Sequence, residues 1–303
     1  MKLVRVVEHD IESASKSPGT APLFNSLTRQ LLETRKEDPA SFPLSERNFS
    51  FIPASLFGAG SDTTASTLCS AMLALVTTPG VLETAQAELD SVIGPNRLPS
   101  FTDIRDLPYL RALCKEVLRW RPVAVLGGTP HASSEDDMYR GYYIPKGTVI
   151  LGNSWAINLN PEYYPDPDTF NPLRFLDVDP ASLLYLAEGQ ENVKTPNLKG
   201  LAHPSKSGHS SFGWGRRICP GAELASNTLL ITLSRLLWGF DIRPVPGVVY
   251  DTLDYTNGFN IRPRALKVNI EVRSERHREV LAGMYEVAMG FLGSLSPFTE
   301  SML

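Results

Sequence analysis

The longest regular pattern in the chain runs from about residue 45 to 78. There Ala65, Leu68, Met72 and Leu75 recur three and four apart, which predicts a long helix with one apolar face. The stretch "TPGVLETAQAELDSVIG" carries a helix start and a glycine stop, and "LPYLRALCKEVLRWRP" predicts a helix over about 107–121, closed by Pro122. A further helical pattern lies earlier, in "LFNSLTRQLLETRKED", after a polar Ser/Pro/Gly stretch from Ser13 to Pro22. The texture then changes: in "MYRGYYIPKGTVILGNSWAIN" aromatic and β-branched residues alternate with Gly and Pro, which predicts short strands and a hairpin. From Asn160 to His209 the pattern is loop-rich, with a polar run at "EGQENVKTPNLKG". A long helix to about residue 240 follows in "GAELASNTLLITLSRLLWGF", then strand-like "ALKVNIEV" and an apolar tail. The sum is a mainly α chain with small β-sheets, an α+β fold.

Composition narrows the class. A chain of 303 residues with 42% hydrophobic and 20% charged residues is an ordinary globular one that needs no disulfide staples. A net charge of −4 argues against nucleic acid as partner. Cys69, Cys114 and Cys219 have neither metal-ligand spacing nor the even count of a secreted disulfide scaffold, so a reducing compartment is expected. No stretch approaches the ~20 apolar residues of a transmembrane helix. The first apolar run is broken by Arg5 and Glu8, too soon for a signal peptide, so the chain reads as soluble or cytoplasmic.

The most unusual local chemistry is "SFGWGRRICPGAEL", residues 210 to 223. A helix is expected right after Cys219, with Pro220 at its first position. A thiol at a helix N-terminus faces unpaired N–H groups and the positive end of the dipole, which favours the thiolate, and Arg216 and Arg217 add positive charge. Gly213, Gly215 and Gly221 permit tight backbone and the close approach of something flat or large. With no Cys or His nearby a zinc site lacks its ligand set, whereas one axial thiolate suffices for a haem iron, whose porphyrin supplies four ligands. Local chemistry leaves this reading level with a plain one, a helix cap with an inert cysteine.

The spacing of Phe212, Gly215, Arg217, Cys219 and Gly221 reproduces F-x-x-G-x-R-x-C-x-G, and on it the chain resembles the cytochrome P-450 family of haem-thiolate monooxygenases, of fungal type. The resemblance implies Cys219 as axial ligand, Arg217 on a haem propionate and Phe212 beside the sulfur. Glu116 and Arg119, three apart on a helix, would by themselves be a solvated pair of little worth. Pro122 completes E-x-x-R-x-x-P, and "FNPLRF" supplies Phe170, Pro172, Arg174 and Phe175. The resemblance therefore implies a buried Glu116–Arg119–Arg174 network.

In "FGAGSDTTAST", Gly58, Gly60, Ser61, Asp62, Thr63 and Thr64 interrupt an apolar helix with poor helix formers. This marks either a functional site or a helix break or small-residue packing contact. The family signature A-G-x-D-T-T matches Ala59 to Thr64, which implies room over the haem at Gly60 and proton relay through Asp62 and Thr63. His131 in "GGTPHASSEDD" stands where fungal-type members bind a propionate; a satisfied loop histidine is the plain alternative. By family position Leu126 to Thr129, Phe259 and Asn260 line the substrate pocket, while Trp155 reads as core.

The implied activity is insertion of one oxygen atom from dioxygen into a small apolar organic substrate, as in fungal secondary metabolism. Haem b would be the cofactor, and electrons would come from NADPH through a flavin-containing reductase. Arg216 would help dock its acidic surface, with a plain solvated arginine as the equal alternative. A non-catalytic remnant is the alternative of another class, and a haem-thiolate isomerase or dehydratase a third, against which the Asp62–Thr63 pair speaks. The resemblance covers nearly the whole chain, as one partial domain over 1–303, but only the C-terminal part of a typical member. Asp62 falls in the first fifth of this chain, whereas the family places it past the middle. The expectation is a chain without the N-terminal helices and without the endoplasmic-reticulum anchor usual in the family. It would be an incomplete gene model, a degenerate relative or a short form, with apolar surface exposed near Asp62.

Overall fold

The computed structural model describes residues 26–177 and 202–294, with a few positions between 4 and 12. The polar stretch Ser13–Pro22, the run at 188–200 and the end of the apolar tail lie outside the described residues. Packing divides the chain into two compact units, Met1–Ser61 with Gly283–Leu303, and Asp62–Ala282.

In the first unit, helix α1 (Leu27–Glu37) starts where the Ser26 hydroxyl accepts the Arg29 N–H at 3.3 Å, a side-chain N-cap. Helix α2 (Glu46–Thr77) begins in this unit and continues into the next. Phe49 is fully buried on it, edge-on to Phe42 at 5.9 Å and under the Arg35 guanidinium at 4.6 Å. Phe51, Leu56 and Phe57 on α2 are exposed, the apolar exposure expected ahead of Asp62.

The second unit is built around four helices. The later turns of α2 bury Ala71, Leu73, Ala74 and Leu75 against α3 (Val81–Val92), α4 (Pro108–Trp120) and a helix at Ala222–Gly239, called α6 below. The glycine stop after α3 is Gly94, whose φ of +68° is the left-handed turn that closes a helix and favours glycine. α4 has no side-chain cap of its own. The buried Glu88 carboxylate on α3 instead accepts the Tyr109 and Leu110 N–H groups at 2.8 and 2.9 Å, satisfying its first free donors with a negative charge.

Among the described residues the predicted strands form three two-stranded antiparallel sheets. Strand β1 (His131–Ala132) pairs with β4 (Val149–Ile150), with His131 opposite Ile150. Between them, β2 (Asp137–Tyr139) and β3 (Tyr142–Ile144) make the hairpin, turning at Arg140 and Gly141 with φ of +50° and +86°. Strand β5 (Phe240–Pro244) pairs with β6 (Val268–Val272), the "ALKVNIEV" strand.

Two elements differ from the sequence reading. "SWAIN" is not strand but a short helix, α5 (Ser154–Asn158), because the Asn153 side chain caps it by accepting the Ala156 N–H at 3.0 Å. Trp155 packs against the core, as expected. The final segment begins with helix α7 (Glu275–Ser294). Its start is marked by Ser274, whose Oγ accepts the His277 N–H at 3.4 Å. Among the described residues no single helix is long and apolar enough to cross a membrane. The bent pair α2 and α3 passes on length and composition only together, at 105° to each other.

Candidate functional site

The site is built from α4 outward. Arg119 and Glu116 lie one turn apart on its buried face, both with no exposure, and meet in two parallel bonds of 2.7 Å, Nε to Oε2 and Nη2 to Oε1. Arg174, in a 3-10 turn at Pro172–Phe175, brings its Nε to 3.5 Å of the same Oε1. The remaining donors go to backbone carbonyls: Arg119 Nη1 to Asn158 and Pro167 at 3.1 and 2.7 Å, and Arg174 Nη1 and Nη2 to Pro165 and Asp166 at 2.6 and 2.8 Å. Burial lowers the pKa of the Arg174 guanidinium from its ordinary value, and the Glu116 charge opposes that shift. The solvated-pair alternative for Glu116 and Arg119 is excluded by their burial.

Behind this network sits the cysteine loop. Ser210 N–H and Oγ–H both donate to Asn158 Oδ1, at 2.8 and 2.7 Å, and Ser211 Oγ–H donates to the Leu118 carbonyl of α4 at 2.5 Å. The chain then turns through Gly213 and Gly215, with φ of +74° and +58°, conformations in which a side chain would be strained. A 3-10 turn over Gly215–Arg217 leads to Cys219, whose N–H donates to the Phe212 carbonyl at 2.8 Å. Cys219 is exposed, whereas Cys114 is buried, and burial pushes its thiol pKa far up. α6 begins only at Ala222, with Gly221 as N-cap. Pro220 is thus two residues short of the first helical position expected for it, because the Ala222 N–H closes a turn onto the Cys219 carbonyl at 3.3 Å before the helix starts.

A glycine contact fixes this loop against the first sheet. A Cβ on Gly152, two residues beyond β4, would stand 2.1 Å from the Trp214 ring, and one on Gly127 would stand 2.4 Å from the Gly152 carbonyl oxygen. Trp214 therefore lies directly on Gly152, and through β4 the loop is joined to the strand that bears His131. His131, Arg216 and Arg217 are exposed, and none has an ion-pair partner among the described residues.

Asp62 and Thr63 lie in an unbroken α2, so the helix-break alternative does not hold. The Asp62 carboxylate accepts a hydrogen bond from Asn260 Nδ2 at 3.0 Å, with the Arg262 guanidinium at 3.9 Å. An added Cβ at Gly58 or Gly60 would meet nothing within 4 Å. Leu126 and Phe259 are exposed. Two cavities of about 260 and 250 Å³ lie elsewhere, by Tyr250–Lys267 and by Thr77–Arg243, and neither is lined by Cys219, Asp62 or His131.

His209 stacks edge-on to Phe212 at 5.6 Å, and its Nδ1 is buried without a partner among the described residues. Burial pushes its pKa down to about 4, helped by nearby His203 and Lys115. The unfolded chain, with an ordinary value of about 6.5, binds this proton first. His209 therefore leaves stability intact above about pH 6.5 and withdraws it as pH falls toward about 4. His209→Leu is expected to flatten the melting temperature across that window, and an unchanged slope would remove His209 as its source.

Sequence reasoning missed Asn158, Ser210, Gly152 and Trp214 as parts of the site. The signals present were a polar residue closing the apolar "SWAIN" and the serine pair ahead of "FGWGRR"; neither has meaning until α5 is seen to meet the loop.

The cytochrome P-450 family model matches residues 4–270. The chain is 39% identical over 263 residues to cytochrome P-450 monooxygenase 58 of Postia placenta, covering 85% of this chain and 46% of that protein. To a cytochrome P-450 monooxygenase of Armillaria gallica it is 37% identical over 260 residues, covering 83% and 46%. Among solved structures it is similar to a zebrafish cytochrome P-450 determined with abiraterone. The TM-score there is 0.67 at 30% identity, over 89% of this chain and 59% of that one. The chain spans about half the length of the curated relatives it matches.

Proposed function

The chain belongs to the cytochrome P-450 family, and on that premise we propose that Cys219 would hold, as a thiolate, the iron of a haem b in a monooxygenase acting on a small apolar organic substrate. The observation that carries the proposal is the presentation of Cys219. Its sulfur is exposed at the end of a loop held by two left-handed glycines, by its own N–H bond to Phe212 and by the Trp214 contact with Gly152.

The donor set fits a haem: one exposed thiol, the Arg217 guanidinium and the His131 imidazole, the last two without carboxylate partners among the described residues. Haem, when bound, supplies dioxygen activation and oxygen-atom transfer. Cys219 would ligate the iron and donate electron density, Arg217 and His131 would hold the propionates, and Phe212 would shield the sulfur. Asp62 and Thr63 would move protons into the site, with Asn260 and Arg262 fixing the Asp62 carboxylate. Arg216 would offer a positive charge to an acidic, flavin-containing NADPH reductase. Glu116, Arg119 and Arg174 would be structural, and residues 1–303 would contribute to one haem domain. A role in fungal secondary metabolism is the biological setting proposed.

Thiol alkylation tests the assignment. Cys219 is exposed, Cys69 half-buried and Cys114 buried, so modification without haem should fall first on Cys219, read site by site by mass spectrometry. One equivalent of haem is expected to slow it at least tenfold. An unchanged rate with haem bound would contradict ligation by Cys219 and favour a remnant that binds haem elsewhere.

A further inference from the structure

One residue joins the arginine network to the cysteine loop. Asn158, the last residue of α5, is fully buried. Its backbone carbonyl accepts Arg119 Nη1 at 3.1 Å. Its Oδ1 accepts both the N–H and the Oγ–H of Ser210, and its Nδ2 is 3.4 Å from each of two acceptors, the Leu118 carbonyl and Ser211 Oγ. The amide thus uses both lone pairs and both protons, the full capacity of the group. An aspartate cannot make the donations, and an apolar residue would leave buried Ser210 without an acceptor. Ser210 in turn takes the Gly213 N–H at 2.9 Å on its carbonyl and accepts a bond from the Ser154 hydroxyl at 3.3 Å. Between Ser210 and Gly213 stands Phe212, whose carbonyl receives the Cys219 N–H.

We propose that Asn158 is a positioning residue for Cys219: its carboxamide fixes Ser210, Ser210 fixes the Gly213 turn, and that turn sets the Phe212 carbonyl on which Cys219 hangs. The inference rests on the reading of Cys219 as a haem ligand. On that reading the buried ion pairs of α4 and the ligand loop form one hydrogen-bonded body, because the same residue serves Arg119 through its backbone and the loop through its side chain.

The test compares the haem-loaded chain with Asn158→Ala, Ser210→Ala and Leu89→Ala. The last is a core truncation on α3 that destabilises without touching the loop. The readouts are the share of the reduced carbon-monoxide complex with the red-shifted Soret band of thiolate ligation, and amide exchange across residues 210–219. Asn158→Ala is expected to at least halve the thiolate-ligated share and to speed exchange roughly tenfold, the equivalent of about one lost hydrogen bond. Ser210→Ala should move both readouts the same way by less, and it decides the matter if Asn158→Ala does not fold. Leu89→Ala should lower the melting temperature and leave the thiolate share unchanged. A thiolate band in wild type that survives unchanged in Asn158→Ala, or in Ser210→Ala where that variant decides, overturns the inference. So does equal loss in Leu89→Ala. A wild type without the band overturns the ligand assignment instead.

Discussion

Arg119→Ala is expected to destabilise the chain by about 3–5 kcal/mol, because it strands the Glu116 carboxylate in the core. Glu116 would keep the Asn171 N–H at 2.8 Å and Arg174 Nε at 3.5 Å but lose both 2.7 Å bonds. The carbonyls of Asn158, Pro167 and Thr169 would lose a donor as well. Against the ~5–15 kcal/mol that holds a typical domain together, this is a large fraction, and poor soluble yield is the expected phenotype. The chain contains its own control. Arg276 and Glu279 have the same i,i+3 spacing and the same 2.7 Å contact, but their side chains are 50% and 57% exposed, where those of Arg119 and Glu116 are fully buried. Arg276→Ala should cost at most about 1 kcal/mol. Urea midpoints of the two variants check this; equal midpoints would mean that burial does not set the value of the α4 pair. Arg119→Lys should rescue poorly, since an ammonium cannot reproduce the two parallel bonds or the reach to Pro167 and Thr169.

Much of this fold is legible from periodicity. The apolar spacing on α2, the glycine after α3 and the proline after α4 are local signals, and each predicted its element. The two elements read differently failed for local reasons. α5 is five residues long, too short to show a 3.6-residue period, and its cap, Asn153, follows a glycine and so reads as a turn. α7 mixes charge into its first turns and apolar side chains into its later ones, which reads as a tail. The start of α6 was displaced by the Pro220 rule, because proline is equally at home in the turn that precedes a helix.

For the site, sequence supplied the groups and structure supplied their neighbours. The motif spacing singled out Cys219, Arg217, Glu116, Arg119 and Arg174. That Glu116 and Arg119 are buried, and that Asn158 passes their order to Ser210, follows from contacts between residues up to 93 positions apart, as with Ser211 and Leu118. Gly152 shows the same limit: a glycine after a strand is unremarkable until Trp214 is found lying on it. The partners of Asp62, Asn260 and Arg262, are also beyond the reach of local pattern.

The account stands on the sulfur of Cys219, and its loss carries the largest expected spectroscopic effect. Serine keeps the size and the Cys219 N–H bond to Phe212, so Cys219→Ser should fold with the loop unchanged. Only the soft, electron-rich donor is removed, and an alkoxide is not formed by a serine at neutral pH. The decisive measurement is the absorption spectrum of the haem-loaded chain after reduction under carbon monoxide. Wild type is expected to show the red-shifted Soret band of thiolate ligation and Cys219→Ser to lack it entirely, with both proteins folded by circular dichroism. A folded, haem-loaded wild type without that band, or a Cys219→Ser variant that keeps it, would contradict the account.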